Sequence, residues 1–175
     1  MNKLVIILLC LLPSLLIVSC EKDEYNAYIV SSELISVPII ESDTGQTIGQ
    51  AYNGFAVSID EVRNQRAYFY IDISDPSLPN VSERMELYIS IDNMKKANVE
   101  PQIPPPIISL DMIIIKPLVD ISWYRESGPQ VIAKFSDEIG PMPYIQKVEN
   151  SYLFTLGMHL VYVSEQDAKL IKYDD

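Results

Sequence analysis

An all-β sandwich is the fold this sequence predicts, on three observations. Short runs rich in Val, Ile, Tyr and Phe recur along the chain, separated by Pro, Gly, Asn and Asp. Two of these runs alternate apolar and polar residues with the period of two that a half-buried strand requires. No long stretch carries the 3.6-residue period of an amphipathic helix, and no internal repeat signals a propeller or solenoid. The expected arrangement is a single immunoglobulin-like or transthyretin-like β-sandwich over residues 29–175.

The elements follow in order. Glu33 to Ile40 reads as the first clear strand, preceded by Tyr28-Ile29-Val30. Glu41 to Gly54, with Asp43-Thr44-Gly45 and Asn53-Gly54, reads as turn chemistry. Phe55 to Ile59 is a short strand. Along Arg66 to Ser74, Phe69, Ile71 and Ile73 face one way while Tyr68, Tyr70 and Asp72 face the other. Asp75 to Asn80, which holds Pro76 and Pro79, is expected to be a loop. Arg84 to Asp92 alternates again, with Met85, Leu87, Ile89 and Ile91 opposite Glu86, Tyr88 and Ser90. Ile107 to Ile115 is nearly all apolar, as a central strand would be. Leu118 to Tyr124, Gln130 to Phe135 and Ser151 to Val163 complete the strands, and Pro117 marks an edge, a bulge or a crossing between sheets. Ser164-Glu165-Gln166-Asp167 has capping-box spacing, which fits a helical turn before Ala168 to Tyr173, a segment equally suited to a last strand. Asn98 to Pro106 contains four prolines and predicts a stiff polyproline crossover. Two half-domains of about 70 residues would each have little core, so one domain is preferred.

Before this domain stands a different kind of segment. Met1-Asn2-Lys3 leads into the apolar run Leu4 to Val18, and Ser19-Cys20 is followed at once by Glu21-Lys22-Asp23-Glu24. A cationic start, a short apolar core and a small residue before the cut describe a secretory signal peptide. The apolar run is 15 residues long and contains Pro13 and Ser14, against the roughly 20 apolar residues a permanent span needs. Ile17-Val18-Ser19-Cys20 resembles the bacterial lipobox. The resemblance implies cleavage before Cys20, diacylation (palmitate-type chains) of its sulfur, and a lipoprotein held by its acyl chains. Glu21, Lys22, Asp23 and Glu24 resemble the lysine-plus-acidic export signal of Bacteroidetes surface lipoproteins. That resemblance implies an outer-membrane lipoprotein exposed at the cell surface, a periplasm-facing one being the alternative. Residues 20–28 would then form the lipidated cysteine and an acidic tether.

Composition narrows the function classes. The chain carries 13 basic and 24 acidic residues, net −11, and loss of residues 1–19 removes only Lys3, leaving −12. Such a balance repels phosphate backbones, and no basic stripe offsets it, so no nucleic-acid partner is expected. With Cys10 lost in the signal and Cys20 acylated, no cysteine remains for a disulfide, a thiolate nucleophile or a zinc site. The fold must then rest on apolar burial, for which about 150 residues suffice.

The chemical motifs are weak. Asp43-Thr44-Gly45 matches the aspartic-protease tripeptide, but Glu41-Ser42 before it and Gln46 after it depart from the family's apolar and small flanks. A turn with Asp first and Gly third explains it more simply. His159, the only histidine, alternates with Leu156, Met158 and Leu160 and is expected on a wet strand face. Asp72, Asp75, Asp92, Asp111 and Asp120 lack calcium-loop spacing, and solvated strand faces and turns account for most of them. No metal site or cofactor is expected. The remaining candidates are aromatic: Tyr68, Tyr70 and Tyr88 on polar strand faces, and Trp123-Tyr124 before an exposed turn, all suited to glycan or protein recognition. For Trp123 a place in the core is the stronger alternative. The expectation is a non-enzymatic surface binding module, with a structural accessory subunit of an envelope assembly (secretion, transport or fimbrial machinery) as the alternative.

Overall fold

The computed structural model describes residues 26–75, 78–99, 101–102, 111–125 and 127–172. The signal peptide, Cys20, the Glu21–Glu24 signal, most of the proline-rich crossover, residues 107–110 and Tyr173 lie outside the described residues. Sixteen strands run through those described: β1 (Ala27–Val30), β2 (Ser36–Glu41), β3 (Thr47–Tyr52), β4 (Ala56–Ser58), β5 (Glu61–Arg63), β6 (Arg66–Asp75), β7 (Leu78–Ser90), β8 (Met94–Lys96), β9 (Met112–Ile115), β10 (Asp120–Arg125), β11 (Gly128–Phe135), β12 (Ile139–Pro143), β13 (Gln146–Val148), β14 (Ser151–Leu156), β15 (His159–Ser164) and β16 (Ala168–Ile171).

Ten of them form one antiparallel sheet in the order β13-β14-β15-β10-β11-β3-β2-β7-β6-β5. Two antiparallel three-stranded sheets, β4-β1-β8 and β12-β9-β16, complete the all-β sandwich. Inward side chains of all three sheets meet in one core, where Phe55, Phe69, Phe135 and Phe154 pack with Ile39, Leu87, Ile113 and Ile132. Each such side chain contributes about 1.5–3 kcal/mol by leaving water. β6 and β7 show why the alternating runs become strands. Phe69 stands opposite Leu87 and Ala67 opposite Ile89, both pairs buried, while the intervening positions carry tyrosines and charges outward. β9, the end of the apolar run 107–115, is the central strand of its sheet.

Several local expectations are corrected. Residues 41–54 are not all turn, because β3 occupies Thr47–Tyr52. Its inward positions are Gly49 and Ala51, so no apolar alternation marks it; a Cβ on Gly49 would lie 2.7 Å from the Lys134 carbonyl oxygen. The loop expected over Asp75–Asn80 is corrected at its ends: Asp75 and Leu78–Asn80 are strand, Asp75 pairing with Leu78 beyond a bulge, and residues 76–77 lie outside the described residues. Ser151–Val163 is two strands, broken at Gly157-Met158, where Gly157 takes φ 59°. β5 and β13 escape sequence reading because every residue in them is exposed, and β12 because its sequence, IGPMP, carries strand-breaking residues. β8, which closes the β4-β1-β8 sheet, was also unmarked. At the capping-box sequence, Ser164 Oγ accepts from the Gln166 N–H and Glu165–Asp167 forms a single 3-10 turn before β16.

His159 is the sharpest reversal. It is 2% exposed, where a wet face was expected. The two-residue turn restarts the alternation and puts His159 directly opposite Leu156, on the inward face.

Candidate functional site

Among the described residues, the outer face of β5, β6 and β7 is where the expected site residues Tyr68, Tyr70 and Tyr88 come together. The β5–β6 hairpin turns on Asn64 and Gln65, both left-handed at φ 50° and 60°, the conformation of a turn matching strand twist. That turn sets Arg63 directly opposite Arg66, and the next outward row brings Glu61, Tyr68 and Tyr88 side by side. Tyr70 stands opposite Glu86 in the following row, and Asp72 opposite Arg84 in the one after.

Contacts within these rows are close. The Arg63 guanidinium lies 3.9 Å from the Tyr68 ring centroid and the Arg66 guanidinium 4.6 Å from that of Tyr88. The two rings are 5.4 Å apart, tilted by 43°. Arg63 also pairs with Glu61 at 2.7 Å and with Glu86 at 3.0 Å, and the Tyr70 hydroxyl donates to Glu86 at 3.0 Å. Arg84 pairs with Asp72 at 3.2 Å and sits 5.8 Å from the Tyr70 ring.

Tyr68 and Tyr88 are therefore on the expected face but not open on it: they are 4% and 8% exposed. Guanidinium stacking over their rings is attractive in itself and leaves the cations at the surface. What the strip offers a ligand is charge and hydrogen-bond donors held in place, with Tyr70 as its half-buried ring. Electrostatics follow the same plan. Arg63 beside the Tyr68 hydroxyl, with Arg66 adding to it against the effect of burial, holds that phenol below the ordinary tyrosine range. Ser42, then Tyr70 and Arg63, hold the Glu86 carboxyl below the usual carboxylate range. Glu86 in turn pushes the Tyr70 phenol up.

Trp123 and Tyr124 do not join this strip, because β11, β3 and β2 separate β10 from β7. Trp123 is half-buried against the core, its ring 4.3 Å from that of His159; the Tyr124 side chain lies outside the described residues. His159 serves as a clasp. Its Nε2 accepts from the Ala56 N–H at 2.7 Å, and the Met158 N–H donates to the Ala56 carbonyl at 3.0 Å. An N–H can only donate, so the facing Nε2 must carry a lone pair. The clasp joins the β14–β15 turn to β4, at the junction of two sheets. Asp43-Thr44-Gly45 forms the β2–β3 turn, where the Gly45 N–H donates to the Glu41 carbonyl at 2.9 Å and the Thr44 hydroxyl to the Glu41 carboxylate.

Arg63, Arg66 and Arg84 were not singled out in the sequence as site residues. A signal was there: a turn at Asn64-Gln65 mirrors Arg63 onto Arg66 and fixes every later row. No protein-family model, curated protein or solved structure matches the chain.

Proposed function

We propose that the chain is an outer-membrane lipoprotein, anchored by acyl chains on Cys20 and exposed at the cell surface, whose sandwich is a non-enzymatic binding module for a glycan or protein ligand. The lipobox-like Ile17-Val18-Ser19-Cys20 supports the anchor, and Glu21-Lys22-Asp23-Glu24, which resembles the lysine-plus-acidic export signal, supports surface exposure. The observation that carries the binding role is the continuous outer strip of Arg63, Arg66, Tyr68, Tyr88, Tyr70 and Arg84. Arginine and tyrosine are the residue types that dominate recognition surfaces, and here they sit on paired strands rather than on loops.

Two experiments test the reading. Radiolabelled palmitate should enter the wild-type protein and not Cys20→Ser, and protease added to intact cells should remove the domain; full protection of the wild type would refute surface display. Purified mature protein on an array of glycans and envelope proteins should retain ligands that Arg66→Gln releases. Capture of one stoichiometric envelope partner, unaffected by Arg66→Gln, would instead support an accessory subunit.

A further inference from the structure

Arg63 and Arg66 form a directly opposed like-charge pair, an arrangement that destabilises a sheet unless something offsets it. Arg63 is offset by Glu61 and Glu86. Arg66 has no carboxylate partner among the described residues; it is exposed, stacks on Tyr88 and adjoins Tyr68. In a chain of net −11 this is an exposed cation held in place, with the Tyr68 hydroxyl taking one of its hydrogen bonds and no carboxylate taking the rest among the described residues. A stacked guanidinium loses little freedom on meeting an oxyanion, and its planar fork matches a carboxylate or sulfate. The other end of the strip has the opposite character. There Arg84 and Glu86 of the strip border a cleft of about 420 Å³ along the edge of β7; its other walls are Asp43 in the β2–β3 turn and Glu41, Ile73, Glu83 and Met85 of the inward-facing rows. Carboxylates accept hydrogen bonds from hydroxyl groups and repel further anions. The distance from the Arg66 row to the Arg84 row is six residues of strand, roughly 20 Å.

We infer that the strip recognises a saccharide bearing a single oxyanion, whose acidic unit is received by Arg66 beside Tyr68 and Tyr88 and whose neutral units run past Tyr70 toward the acidic cleft. This rests on the binding role proposed above and names its ligand class. An acidic peptide fits less well. It brings few hydroxyls for the carboxylates of the cleft, and a second acidic residue would face Glu86 and Asp72. A polyuronate meets the same repulsion.

The test is titration calorimetry of the mature protein with four probes: a hexasaccharide ending in glucuronate, its neutral glucose-ended counterpart, the same chain ending in a 6-sulfated glucose, and polyglucuronate. The glucuronate-ended or the sulfate-ended probe should bind at least tenfold more tightly than the neutral one and than polyglucuronate on a per-site basis, and the stronger of the two identifies the oxyanion. Arg66→Gln, an exposed substitution whose folding is checked by its melting curve, should bring acidic and neutral probes to equal affinity. Tyr88→Phe keeps the stacking ring and should retain the preference. Equal binding of neutral and acidic probes by the wild type overturns the inference and leaves a glycan-binding role intact. Binding of an aspartate-rich peptide with no binding of any saccharide overturns the inference while leaving a protein-binding role. Binding of neither overturns both.

Discussion

His159→Phe is the substitution that most directly tests how the sheets are joined. Phenylalanine keeps an aromatic ring between Trp123 and Phe55 but has no acceptor for the Ala56 N–H, which His159 Nε2 binds at 2.7 Å. Ala56 is fully buried, so that donor has no water to turn to. Leaving a buried N–H unsatisfied costs about 1–3 kcal/mol. A domain of this length loses about 2–4 °C of melting temperature per kcal/mol, so the variant should melt roughly 2–12 °C below wild type. His159→Gln retains an acceptor and should recover part of the loss. Thermal unfolding followed by circular dichroism gives the global value. Emission of Trp123, the single tryptophan and 4.3 Å from His159, reports the clasp locally. A His159→Phe protein within about 0.5 kcal/mol of wild type, the range of an ordinary surface change, would refute the reasoning that Ala56 depends on this ring.

Two further outcomes follow from backbone and charge. Gly157→Ala should lower the urea midpoint more than Gly45→Ala: both glycines have positive φ, 59° and 69°, but a Cβ at 157 would lie 2.5 Å from the Ala56 carbonyl oxygen whereas nothing lies within 4 Å at 45. At Gly45 only the left-handed conformation is penalised, by about 1–2 kcal/mol, so equal midpoints would show that the turn relaxes freely. Glu86 has a folded-state pKa below its unfolded value, so the stability it contributes is present above the unfolded value near 4.5 and is lost as pH falls through the folded one. Urea unfolding between pH 6 and pH 3 should therefore show a shallower acid loss for Glu86→Gln than for wild type, and parallel curves would remove Glu86 as a contributor.

The β-rich class and most of the longer strands were legible in the sequence because alternation is a local property of the chain: Phe69, Ile71, Leu87 and Ile89 declare their face by spacing alone. The proposed lipoprotein signal over the first twenty-four residues rests on sequence pattern alone. Tertiary structure decided the rest, because pairing partners are distant along the chain. β3 is a strand because it is paired with β2 on one side and with β11 on the other, and β5 only because β6 folds back on it. His159 faces inward because the chain reverses at Gly157-Met158, and parity restarts at a reversal. The strip shows the same division. Its tyrosines were legible as outward-facing, but whether their rings met solvent depended on arginines brought over them by a hairpin, and a one-residue shift of that turn would place every one of them differently.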